Sequence, residues 1–151
     1  MEPFRFSLSR VLDYRRMSVE QLSVELSQVE LARQARVERL HQLQRAEIDL
    51  LGDLGQESGP STNGAGAVHT VGCLDALWSD IASEIGVIAA HQAQIDAIRE
   101  RLTGARTATK ALEKLQDSEL EEFARENRLR EQAESSETAA LQYQRAHVVR
   151  R

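Results

Sequence analysis

Four histidines, one cysteine and a dense run of carboxylates are the side chains in this sequence that could bind a metal, attack an electrophile or move a proton. His41, His69, His91 and His147 match neither His-Glu-x-x-His nor any Cys/His ligand spacing, so the pattern assigns no metal and no cofactor. His91 falls among apolar residues at heptad steps and reads as a polar seam residue that sets register. Cys73 could supply a thiolate, but a nucleophile needs a fixed base beside it, and the sequence places none there. The stretch "DSELEE", residues 117–122, concentrates carboxylates. General acid–base work needs a concave, partly dry site that shifts their pKa values; on a solvated helix they are surface charges. No catalytic residue is assigned, and the chain reads as a protein that is not an enzyme.

The elements carrying these groups follow from composition. Aromatic residues make up 4% of the 151 positions and charged residues 28%, which points to long helices burying a narrow seam rather than a thick core. A formal net charge of −5, with no clustered Lys and Arg, argues against a nucleic-acid partner; the terminal Arg150–Arg151 pair is too short to make such a surface. No apolar run approaches the roughly 20 residues of a membrane span, so no membrane insertion is expected. The start, "MEPFRFSLSR", lacks the apolar stretch of a signal peptide, and a lone cysteine excludes a disulfide framework. A cytoplasmic location is expected.

Alternating steps of four and three from Leu8 give Leu8, Leu12, Arg15, Val19, Leu22, Leu26, Val29, Arg33, Arg36, Leu40, Leu43, Glu47, Leu50 and Leu54. Ten of these fourteen positions are Leu or Val, which is a coiled-coil period and predicts a first helix over about 8–51, capped by Ser7 or Ser9. Arg33 and Arg36 in that seam read as register control, with their charged heads reaching solvent beside Ile88–Ile98, or as a weakened seam at which another protein binds. Residues 52–66, "GDLGQESGPSTNGAG", hold five of the eight glycines and Pro60, and predict a flexible connection over 52–71. A second helix then spans about 72–147. Steps of seven give Leu74, Ile81, Ile88, Ile95 and Leu102, with Leu77, His91, Ile98, Ala105 and Leu112 beside them. Trp78 and Ile85 widen the stripe near the connection.

At 1.5 Å per residue the first helix is roughly 66 Å long and the second roughly 114 Å. Folded back antiparallel, they exhaust their common seam near Leu112–Leu115. The expected architecture is therefore all-α: one domain, residues 1–151, forming a long antiparallel two-helix coiled coil. Its second helix should overhang, unpaired beyond about 116 and held by local charge pairs such as Glu121–Arg125 and Glu126–Arg130. Leu120, Phe123 and Leu129, the few large residues of the overhang, are candidates for partner contact.

Two terminal stretches carry a resemblance. Phe4, Phe6, Leu8, Val11, Leu12 and Arg15 near the start follow a pattern similar to that of the flagellar export FliJ family. So do Leu112, Glu113, Leu115, Phe123, Arg125, Glu126, Arg128, Arg130, Glu131, Gln132 and Glu137 in the second helix. Phe123 stands where Tyr is common in the family, and Ser136 where a second carboxylate is expected.

The resemblance implies an antiparallel coiled coil similar to the central stalk of rotary ATP synthases. It also implies a place in flagellum biogenesis, motility and chemotaxis, in the cytoplasm and peripheral to the inner-membrane export apparatus. The implied partners are the hexameric export ATPase, its regulator, export chaperones and the cytoplasmic domain of the membrane export gate. The implied contact residues for the ATPase ring are Leu120, Phe123, Arg125, Glu126, Arg128, Leu129, Arg130, Glu131, Gln132 and Glu137. The equivalent stalk of a virulence secretion system is the close alternative. A generic coiled-coil scaffold, or a prefoldin-like holdase acting through Trp78 and Ile85, is the more distant one.

Overall fold

The structure, a computed structural model, describes residues 3–57 and 64–148. Two helices make up almost all of them: α1, Ser9–Glu57, with 49 residues, and α2, Gly64–Val148, with 85. They pack against each other as the expected all-α helical hairpin, with no strand among the described residues. The chain enters α1 through a turn in which the Ser9 amide donates to the Phe6 carbonyl at 3.3 Å and the Leu12 amide to the Leu8 carbonyl at 2.9 Å. Backbone carbonyls, rather than the hydroxyls of Ser7 or Ser9, therefore organise this first turn.

Both helices exceed the bounds read from composition. α1 continues past residue 51 to Glu57, and α2 begins at Gly64 rather than near 72. A glycine weakens a helix by only about 1 kcal/mol relative to alanine, so Gly52, Gly55 and Gly66 do not end one. The seam also persists: Leu54 is half-buried, and Thr70 is buried with its hydroxyl donating to the Gly66 carbonyl at 3.1 Å. Pro60, the residue best able to stop a helix, lies in 58–63, outside the described residues.

Packing divides the chain into two compact units, one comprising Val19–Gly104 and the other joining Met1–Ser18 with Ala105–Arg151. In the first, Leu22 and Leu43 of α1 and Leu74, Leu77, Ile95, Ile98 and Leu102 of α2 are buried. Antiparallel pairing is visible in the cross-helix bonds, whose α2 partners fall as α1 rises. Glu25 meets Arg101 at 3.9 Å, Glu30 meets Arg99 at 2.9 Å, and Arg36 meets Glu84 at 3.1 Å. Further along, Glu47 accepts the Trp78 indole N–H at 2.6 Å. Such exposed pairs contribute roughly 0–1 kcal/mol each and serve register more than stability.

The polar seam positions resolve unequally. Arg36 is exposed and Val37 is half-buried in its stead, while Arg33 stays half-buried with its Nε unpartnered among the described residues. The ruler itself is kept beyond this point, since Leu40, Leu43, Leu50 and Leu54 remain covered, and Arg36 turns outward to Glu84. Glycines 86 and 104 lie inside α2, and a Cβ built on either meets nothing within 4 Å. Neither marks close approach of the facing helix.

In the second unit Phe6, Leu12 and Thr109 are buried, and Arg15, a seam position by spacing, is exposed. The neighbouring Arg16 instead forms a 2.9 Å ion pair with Glu113. The seam was expected to end at Leu112–Leu115, but half-buried positions continue through Gln116, Glu119, Phe123, Ala124 and Asn127. The cause is the non-helical segment before α1: Phe4 reaches Phe123, with ring centroids 5.6 Å apart and planes tilted by 51°. From Arg128 to Arg145 every residue is exposed.

Two substitutions test this packing. Leu74→Ala, which empties a side chain only 2% exposed, should cost about 2–4 kcal/mol in urea unfolding followed by circular dichroism. Gly86→Ala should raise stability by about 0.5–1 kcal/mol in the same measurement, because helix propensity improves and the new methyl meets open space.

Candidate partner-binding site

Alternation of burial along α2 decides which of its side chains face another element and which face outward. Residues 119, 122, 123 and 126 fall at i, i+3, i+4 and i+7 and therefore share one face. Glu119, Glu122, Phe123 and Glu126 line a cleft of about 560 Å³ whose other wall is Pro3, Phe4 and Arg5. Phe123 and Glu126 were expected in a contact surface, and Phe4 in the N-terminal motif; the fold brings the three together. Pro3, Arg5, Glu119 and Glu122 join them without having been singled out. The i, i+3, i+7 spacing of the three glutamates was available as a signal, but the approach of residues 3–5 was not.

A second shallow surface on α2 gathers Arg125, Arg128, Leu129 and Gln132 with Ser118, Glu121 and Glu122. The Arg128 Nε–H donates back to the Ala124 carbonyl at 3.2 Å. Arg130 approaches Glu126 at 3.7 Å, the i,i+4 pair expected there, whereas no ion pair forms between Glu121 and Arg125 among the described residues. Leu120 and Leu129 are exposed, at 45% and 60%, while Phe123 is half-buried against Phe4. Glu131 and Glu137 are exposed and belong to neither surface. Of the N-terminal motif, Phe6 and Leu12 are core, Leu8 is half-buried, and Val11 and Arg15 are exposed.

The groups with catalytic chemistry lie elsewhere. His91 is half-buried, with Nδ1 2.9 Å from the Val87 carbonyl one turn back on its own helix. Cys73, half-buried, has the His69 Nε2 at 3.7 Å from its Sγ, a neighbour at i,i+4 that the sequence reading did not place. Among the described residues no group of three or more His, Cys, Asp or Glu is arranged to hold a metal ion. No helix among them is long and apolar enough to cross a membrane. The side chain of His147 and the Arg150–Arg151 pair lie outside the described residues.

What the arrangement offers is contact chemistry: an aromatic pair edged by carboxylates, then a helical stretch with neither face covered. No curated protein and no solved structure matches the chain. One family model, described as flagellar FliJ protein, matches residues 4–147. That span takes in both terminal motifs, the covered seam between them and the exposed stretch beyond, and the chain belongs to the FliJ family.

Proposed function

We propose that this protein is a non-enzymatic component of the flagellar type III export apparatus whose exposed α2 end engages the hexameric export ATPase. Family membership supports the export role. The single observation supporting the mode of action is the stretch Arg128–Arg145, helical and exposed at every position although α1 and its preceding segment cover α2 up to Asn127. A helix with no covered face is held by propensity and i,i+4 pairs alone, and a surrounding partner orders it at little cost. Its mixture of Arg, Glu and Gln offers weak polar contacts that re-form readily, suited to subunits that cycle through nucleotide states.

In this reading the covered part of the hairpin projects the ATPase-binding end and links it to the cytoplasmic domain of the export gate. The ATPase regulator and export chaperones are further partners, and the protein works in the cytoplasm at the inner-membrane apparatus. Leu120, Arg125, Arg128, Leu129, Arg130, Glu131, Gln132 and Glu137 make the ring contacts. Phe123 and Glu126 contribute from the cleft.

A second reading has its own support. Val71, Trp78 and Ile85 follow steps of seven and are 46%, 46% and 53% exposed, an apolar stripe left uncovered within Val19–Gly104. A holdase or scaffold would use such a stripe to bind chains or to self-associate.

Truncation after Asn127 separates the two. The shortened protein should remain helical by circular dichroism yet lose stimulation of ATP turnover by the purified export ATPase. Full stimulation by the truncated chain would refute the α2 end as the ring-binding part. Light scattering that shows a stable oligomer abolished by Trp78→Ser, with no ATPase binding, would favour the scaffold.

A further inference from the structure

The cleft between the N-terminal segment and α2 has a chemistry that the packing does not use up. Its walls are two phenylalanine rings, tilted by 51° with centroids 5.6 Å apart, and three glutamates against one arginine. On an isolated helix surface a glutamate is favoured by a cation four residues on, and like charges at that spacing are unfavourable by roughly 0.2–0.5 kcal/mol. Here Glu122 is followed at that spacing by Glu126, and Glu119 by Phe123. Glu126 has Arg130 at 3.7 Å, whereas no ion pair engages Glu119, Glu122 or Arg5 among the described residues. The cleft therefore presents excess negative charge beside apolar ring surface, with Glu119 and both rings half-buried.

Few side chains complement both halves of that surface. An aliphatic group would cover the rings and leave the carboxylates partly desolvated without a partner, which is costly. An ammonium would meet the charge but is compact and strongly hydrated. A guanidinium is flat, stacks on aromatic faces, and forks two N–H donors towards a carboxylate.

We propose that the Phe4–Phe123 cleft, edged by Glu119, Glu122 and Glu126, is a docking site for an arginine side chain presented by a protein partner. The arginine's guanidinium lies against the rings and is bonded by the glutamates. That the partner is the export ATPase rests on the function proposed above; the preference for arginine does not.

The three phenylalanines of the chain make the test direct, because Phe4 and Phe123 line the cleft and Phe6 is buried in the core. Full-length protein carrying ¹³C-labelled phenylalanine is titrated with acetyl-Gly-Arg-Gly-amide, and in parallel with the citrulline peptide, which keeps the shape and loses the charge. The Phe4 and Phe123 ring signals should shift saturably with the arginine peptide and stay fixed with citrulline, while Phe6 is unchanged in both. Glu119→Gln together with Glu122→Gln should weaken the arginine peptide by roughly tenfold or more, with Phe6 again reporting an intact hairpin. Equal shifts with citrulline, undiminished binding in the double variant, or no shift at all would each overturn the site. If the peptide fails to bind but the chain truncated after Asn127 still loses ATPase stimulation, the cleft is refuted and the stalk reading stands. If the peptide binds as described but truncation has no effect, the stalk reading falls and the arginine site remains.

Discussion

The lengths of the two helices govern most of what this molecule can do. A helix pair buries one stripe on each partner, so every residue of α2 is either opposite something or open to solvent. With 49 residues in α1 and 85 in α2, coverage must run out before α2 does. Where it runs out is decided by a few residues ahead of α1, which leave the helical path and lie along α2 as far as Phe123. The position of that boundary separates a stretch built for cohesion from a stretch left open to solvent.

Much of the pairing was legible because helix geometry imposes a period, and Leu12, Leu22, Leu43, Leu74, Ile95 and Leu102 all fall on it. The exceptions have physical causes. Arg36 sits on the ruler but is exposed, its long charged side chain reaching outward to Glu84 while the apolar Val37 beside it is half-buried. The connection was read too long, because glycine content signals helix cost without signalling helix termination. The aromatic contact between Phe4 and Phe123 was not legible at all. It joins a non-periodic segment to a helix more than a hundred positions away, and only the fold brings them together. For the same reason the candidate site was half visible: its glutamates share a spacing, but the wall opposite them does not.

Charge is used differently in the two parts of the surface. Along the covered stretch, Glu25, Glu30, Arg36 and Arg16 each find an opposite charge on the facing helix, so charge there reports alignment. At the cleft three glutamates of α2 outnumber Arg5, and beyond it the one ion pair among the described residues, Glu126–Arg130, lies within α2 itself. A partner can therefore compete for them without first breaking a bond between the helices.

The segment ahead of α1 has a further consequence for how the chain folds. Residues 3–8 are synthesised more than a hundred residues before their partner near residue 123. Closing that contact directly would mean ordering a very long loop, whereas pairing that starts beside the inter-helix connection and advances residue by residue closes only short ones. Assembly in that order makes the aromatic contact the final one formed and, on the way back, the first released. Within the stretch where α2 is covered, opening should accordingly begin where the cleft sits, so the contact at Phe4 and Phe123 can be released while the seam beyond it remains intact.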